Sequence, residues 1–180
     1  MKTYPDTFRV YCITGTPGTG KTEVAKALSG LLGVPFFGMV DLEVQGLEAA
    51  GFDQERACKV IDEDIFAAAA LALAEHKRSE GCSGVIIESH MAHYLPENKV
   101  FCCIVLHCEL PELKKRLTKR GYPEEKVREN LQAEIFDICG QEAIEAGHRC
   151  LEQDTSKTTA KQAATAIFEA LKGIPKRTVR

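Results

Sequence analysis

Two rhythms of apolar and polar positions alternate along the chain. FRVYCIT (8–14) is dense in β-forming residues and runs into a glycine-rich turn, which predicts a buried strand. Val24, Ala27, Leu28, Leu31 and Leu32 then recur at helical spacing and stop at Gly33, predicting an amphipathic helix with that stripe facing inward. VPFFGMV (34–40) reads as a short second strand. From Asp41 to about Cys58 the periodicity is poor and glycines recur at 46 and 51, which predicts a mobile insert. Asp62 to Glu80 reads as a helix with Ile65, Ala69 and Leu73 packed inward.

GVIIES (84–89) and KVFCCIVLHC (99–108) are continuous apolar runs, as expected of strands covered on both faces in a parallel sheet. LPELKKRLTKRG (110–121) predicts a helix closed by Gly121. Residues 122–147 predict one long helix opened by Pro123, with Val127, Leu131, Ile135 and Ile138 on one face. HRCLEQ predicts a last short strand, and residues 159–173 a final amphipathic helix. Strand and helix in alternation predict a doubly wound α/β domain occupying the whole of 1–180.

Composition narrows the classes. A net charge of −3 and a pI near 6.0 lack the basic excess of a dedicated nucleic-acid binder. The most lipid-like run, IFAAAALALA (65–74), falls far short of the ~20 residues that span a bilayer, so no membrane partner is expected. MKTYPDTFRV has no apolar h-region of a signal peptide. The eight cysteines include no C-x-x-C pair and several lie in apolar runs, so they are expected to be free thiols in a reducing, cytoplasmic compartment.

The ligand class is set by GTPGTGKT, Gly15 to Thr22, which fits G-x-x-x-x-G-K-[ST] between a predicted strand and a predicted helix. Its glycines let successive backbone N–H groups turn toward phosphate oxygens, and the following helix adds its positive end. The expected ATP contacts are Gly15, Pro17, Gly18, Thr19, Gly20, Lys21, Thr22 and Glu23. Lys21 would reach the β- and γ-phosphates, and Thr22 would place its hydroxyl on Mg²⁺, the expected cofactor. A phosphate loop of this kind needs an acid at a neighbouring strand end to help hold the cation through water, and Glu88 closes GVIIE in that position. His90 follows, placed to meet the γ-phosphate or an attacking water. Its companion His93 makes an H-x-x-H pair without a supporting acid or thiol, and is read as a bystander. Arg116 and Arg120 stand one helical turn apart before a glycine, which suits cations clamping a migrating phosphoryl group under a closing lid.

With GTPGTGKT, the DED helix, VIIESH, RGYPEEKVRENLQAEIF and EQDTSKT in this order, the chain resembles the adenylate kinase isoenzyme 6 family. These are also known as coilin-interacting nuclear ATPases and include archaeal members. The resemblance implies a three-layer P-loop fold with a central five-stranded parallel sheet. It implies a monophosphate-binding segment at about 37–62 and a short lid at about 119–130. It implies a broad-specificity adenylate kinase that carries the γ-phosphate of ATP to AMP or another nucleoside monophosphate, with ATPase activity. It also implies a role in small ribosomal subunit maturation, with a small-subunit ribosomal protein as partner, indirect rRNA contact, and a nuclear location in a eukaryotic source. By position, Arg120 would be the lid arginine on ATP, Ser156 and Lys157 would lie in the loop beside the adenine (Asp154–Lys157), and Asp41 with His90 would serve the monophosphate site.

Two departures stand out. The family generally has Asp where this chain has Glu88, and adenylate kinases usually place an arginine on the monophosphate-binding helix, where DLEVQGLEAAGF (41–52) has none and Arg56 is the nearest. They leave a second class open, an ATPase assembly factor that binds a ribosomal protein and has little kinase activity. A small-metabolite kinase of the same fold is a third. The basic tail KGIPKRTVR is read as a solvated terminus.

Overall fold

The computed structural model describes residues 8–44, 51–53 and 58–175. Arg56, Gly46 and the last five residues of the basic tail lie outside that range. Five strands form one parallel sheet in the order β2 (Phe36–Phe37), β5 (Gly84–Glu88), β1 (Arg9–Thr14), β6 (Val100–His107), β7 (Cys150–Asp154). Between β2 and β5 the chain contributes α2 (Met39–Val44), an antiparallel pair β3 (Gly51–Asp53) and β4 (Cys58–Val60), and α3 (Glu63–Ser79). The irregular insert expected after Asp41 therefore carries a helix and a hairpin. VPFFGMV is strand only at Phe36–Phe37, and Met39 already opens α2, whose start is fixed by the Asp41 carboxylate accepting from the Gly38 N–H at 2.8 Å.

The sheet is covered on both faces, as its apolar strands require. On one side α1 (Lys21–Leu32) and α7 (Ala160–Lys172) pack Val24, Leu28, Ala164 and Ile167 against Tyr11, Ile13, Ile86 and Ile104. On the other, α3 brings Phe66, Ala70 and Leu73 against Cys12, Val85, Ile87 and Cys103. Each fully buried large side chain here contributes about 1.5–3 kcal/mol. The inward faces are narrower than the periodicity alone implied. Leu31 is 44% exposed and Ile65 47%, because Ala25 and the Phe66–Ala67–Ala70 row take the contacts against the sheet. Asp62 caps α3 by accepting from the backbone of Asp64 and Ile65, and a capping box of Thr159 and Gln162 opens α7.

The one long helix expected over 122–147 is two, α5 (Glu124–Ile135) and α6 (Ile138–Glu145), following α4 (Leu110–Lys119). Asp137 breaks it with φ of 48°, a left-handed conformation that Asp tolerates better than most residues. The break re-aims the chain so that Ala143 of α6 enters the core, while Ile135, Phe136 and Ile138 are left exposed rather than lining one inner face. Val127 does pack inward, joining Leu113 and Leu117 of α4 in a satellite core. The cysteines described are all free thiols; Cys12, Cys102, Cys103 and Cys108 are buried. Among the described residues no helix is long and apolar enough to cross a membrane.

Candidate active site

At the carboxyl ends of β1 and β5, neighbours in the sheet with Ile13 opposite Glu88, the chain turns outward into two loops that face each other. The first is Gly15–Gly20. Gly15 has φ of 135° and lies so close to β6 that a Cβ would collide with the Leu106 carbonyl, so only glycine lets the loop leave the strand at this angle. Gly20 then ends the loop at the N-terminus of α1, where unpaired N–H groups and the helix dipole favour an anion. Lys21 folds back over the loop, its ammonium donating to the carbonyls of Gly15 (2.7 Å) and Thr16 (3.1 Å). Desolvation, with Arg120 adding to it, pulls its pKa down to about 8 against the opposing pull of Cys139, Glu88 and Glu134.

Thr22 donates its hydroxyl to Glu88 Oε1 at 2.9 Å, which joins the two residues expected at a cation. Burial raises the Glu88 pKa, offset in part by that hydrogen bond and by Lys21, with Asp41 pushing it further up. The room for this carboxylate comes from Gly38, where a Cβ would stand 2.7 Å from Glu88 Oε1. Gly38 is a site residue that the sequence pattern did not single out. Thr22 and Glu88 together offer hard oxygen donors of the kind Mg²⁺ prefers, alongside nucleotide phosphates and water.

The second loop follows β5. His90 lines the cleft and is exposed to solvent there. Desolvation by the cleft walls around it, together with Lys21 and His93, lowers its pKa to about 4, so it is neutral at pH 7. His93, read from sequence as a bystander, is 1% exposed and held at both ring nitrogens: Nδ1 lies 2.8 Å from the Thr14 hydroxyl and Nε2 2.9 Å from Glu142 Oε2.

The cleft encloses about 700 Å³ and is lined by the phosphate loop, Lys21, Thr22, His90 and Arg120. Its far wall brings in Glu63, Tyr94 and Glu142, and α5 adds Lys126 and Asn130. Neither spacing nor a short motif could have flagged Tyr94, Cys139 or Glu142, because the loop after β5 and α6 meet there only in the fold.

Arg116 and Arg120 part company. Arg120 lies on the cleft, whereas Arg116 is turned to the loop after β7, donating to the Thr155 hydroxyl (3.2 Å) and carbonyl (2.8 Å) and to Glu112 (3.0 Å). The backbone still sets them one turn apart, with the Arg120 N–H reaching the Arg116 carbonyl at 3.1 Å, and it is the side chains that take different partners. Thr155 in turn donates to the Thr19 carbonyl at 2.7 Å, so Arg116 braces the phosphate loop at second hand. Ser156 and Lys157 stand outside the cleft lining: the Ser156 hydroxyl accepts from the Glu109 N–H and Lys157 pairs with Glu109. Glu23 is exposed on α1, and Thr19 is buried with its hydroxyl turned back to the Thr16 carbonyl. Arg116→Leu is expected to lower unfolding free energy by about 1–3 kcal/mol through lost charge-assisted hydrogen bonds, read by urea denaturation.

Residues 12–137 match a family described as "AAA domain". A chain from Methanosarcina acetivorans named "Putative adenylate kinase" is 38% identical over 153 residues, covering 84% of this chain and 80% of that one. The chain belongs to this archaeal adenylate kinase family. Another member of the same name, from Thermococcus gammatolerans, is 32% identical over 171 residues, covering 93% and 89%. Membership makes the protein a P-loop phosphotransferase of the kinase type. Among solved structures, shikimate kinase from Acinetobacter baumannii in complex with shikimate superposes with a TM-score of 0.61 at 18% identity, covering 93% of this chain and 95% of that one. A gluconokinase from Sinorhizobium meliloti gives 0.56 at 15%, covering 94% of each. At such identities the likeness carries the fold alone, the three-layer P-loop kinase architecture.

Proposed function

We propose that the protein is an adenylate kinase, transferring the γ-phosphoryl group of Mg-ATP to AMP or a related nucleoside monophosphate. The observation that carries this reading is the convergence of Lys21, Arg120 and Thr22, the last backed by Glu88, on one cleft beside a glycine loop. Phosphoryl transfer needs little covalent chemistry from the protein and depends on positioning and on charge neutralisation. Lys21 would leave the Gly15 and Thr16 carbonyls for the donor's phosphate oxygens, and Arg120 would neutralise the charge spreading over the migrating group. Thr22 and Glu88, the latter in part through water, would hold Mg²⁺, which would supply positive charge against the donor's phosphates. No general base is required, since the acceptor phosphate is already an anion. Within the chain, 37–62 would serve as the monophosphate-binding segment, with Asp41 and His90 near the acceptor, and 119–130 as the lid.

A second reading draws on α2. The described part of that helix bears Asp41 and Glu43 and no arginine to meet a monophosphate, while neutral His90 lies where it could orient a water. On that reading the protein is an ATPase that works with a small-subunit ribosomal protein during ribosome maturation, in the cytoplasm or, in a eukaryote, also the nucleus. Following ADP and free phosphate separately, with and without AMP, tests both. Two ADP formed per ATP consumed, without phosphate release, is the outcome expected of the kinase. Phosphate release indifferent to AMP would overturn it.

A further inference from the structure

The cleft has two unlike ends. At one, the phosphate loop lines it with Thr16, Gly18, Gly20, Lys21 and Thr22. At the other, Ile61 and Glu63 arrive directly from β4 of the insert and meet Met91, Tyr94, Cys139 and Glu142. If ATP takes the first end, the acceptor takes the second. The Cys139 thiol of that wall is turned to the His90 carbonyl. Glu63 and Glu142 both face the Tyr94 hydroxyl, which donates to Glu142 Oε2 at 3.2 Å, so carboxylate and phenolic oxygens are what remain to meet a ligand.

Behind this wall stands His93. A carboxylate can only accept, so His93 carries its proton on Nε2 toward Glu142, and Nδ1 accepts from the Thr14 hydroxyl. Thr14 is the last residue of β1, immediately before the phosphate loop. The His93 carbonyl accepts from His148 Nε2 at 2.7 Å, fixing the loop from the other side. One continuous chain of hydrogen bonds, Thr14–His93–Glu142–Tyr94, thus ties the strand that carries the phosphate loop to a carboxylate on the cleft wall. A solvated glutamate would sample many rotamers; this one is pinned by a buried ring.

We infer that Glu142, held in place by His93, is a specificity-determining residue for the acceptor, taking a hydrogen bond from a donor group on the acceptor nucleoside. His93 is a positioning residue acting through it. The inference rests on the adenylate kinase reading and adds what that reading leaves open, the means by which the acceptor is chosen. Two groups on AMP supply such a donor, the 6-amino group of the base and the ribose hydroxyls. Inosine monophosphate lacks the first and 2′-deoxyadenosine monophosphate lacks the 2′-hydroxyl.

The test is steady-state kinetics of the full chain with ATP and each of these three acceptors. Wild type is expected to favour AMP in kcat/KM by about tenfold or more over the analogue lacking the recognised donor, the scale of a hydrogen bond to a charged group. Glu142→Ala should erase that preference. His93→Leu should weaken it in the same direction and raise KM for AMP, with KM for ATP moving less than twofold. His93→Gln, whose amide restores a donor toward Glu142, should recover part of the loss. Equal KM increases for all three acceptors, or parallel increases for ATP and AMP, would mean a purely structural role and overturn the inference. So would a wild type indifferent to both substitutions in the acceptor. Wild type without AMP-dependent ADP formation would instead remove the kinase reading, and this inference with it.

Discussion

Lys21→Ala is expected to abolish phosphotransfer, with kcat falling at least about 10²–10³-fold, the loss seen when one preorganised charge stabiliser is removed from a transition state. The fold is expected to survive. Desolvation depresses the Lys21 pKa to about 8, so the folded protein favours the neutral amine and the charge is held at a cost to stability. The sign follows: the unfolded chain binds more protons between about pH 8 and the ordinary lysine value, so this residue's contribution to stability rises with pH across that window. At pH 7 the alanine variant should therefore melt no lower than wild type while being inactive. In wild type the same ionisation gives kcat/KM for ATP an alkaline limb beginning near pH 8, as the free enzyme loses the ammonium. A variant that retained activity, or an inactive one that had unfolded, would count against Lys21 as the phosphate-binding cation.

The second large effect is expected at Gly38. A methyl group there would meet Glu88 Oε1 at 2.7 Å and push the carboxylate away from Thr22, whose hydroxyl now reaches it at 2.9 Å. Displacing a group that orients a metal ligand typically costs 10–100-fold, so Gly38→Ala should lower kcat/KM by about that factor and raise the Mg²⁺ concentration needed for half-maximal activity. The shorter side chain of Glu88→Asp withdraws from the collision. Gly38→Ala should accordingly cost much less in the Glu88→Asp background, a non-additivity read from a double-mutant cycle. Additive losses would show that Gly38 matters for something other than room for Glu88. The interest of the pair lies in the departure noted in the sequence, glutamate where the family generally has aspartate. In the fold the extra methylene carries the carboxylate directly to Thr22, across a space that Gly38 leaves open.

Much of this site was legible before any coordinates. The phosphate loop, Lys21, Thr22 and Glu88 follow from a motif whose spacing is dictated by how backbone N–H groups wrap a phosphate and by where strand ends fall in a parallel sheet. Arg120 was found by its position before Gly121. The partners of His93 were not legible, since a single histidine in a loop carries no mark of which distant groups will occupy its two nitrogens. Arg116 shares the spacing but not the cleft, because Thr155, distant in sequence, offers its guanidinium a hydroxyl and a carbonyl. The long helix over 122–147 was overdrawn for a similar reason: apolar spacing runs through Asp137 without interruption, and only packing of Ala143 into the core shows that the chain must turn there.

The sequence by itself determined the elements whose causes are local. Apolar runs made the five strands, a glycine-rich turn before an amphipathic stripe made the phosphate site, and Asp62, Thr159 and Gly121 punctuated the helices through caps and turns. Only the tertiary structure decided what depends on residues far apart in the chain: that Gly38 gives Glu88 its space, that Thr155 ties Arg116 to the phosphate loop, and that Thr14, His93 and Glu142 form one hydrogen-bonded line behind the cleft. The physical reason is range. Backbone preference and hydrophobic periodicity act over a few residues, whereas a buried polar group must find its partner wherever the folded chain brings one within about 3 Å.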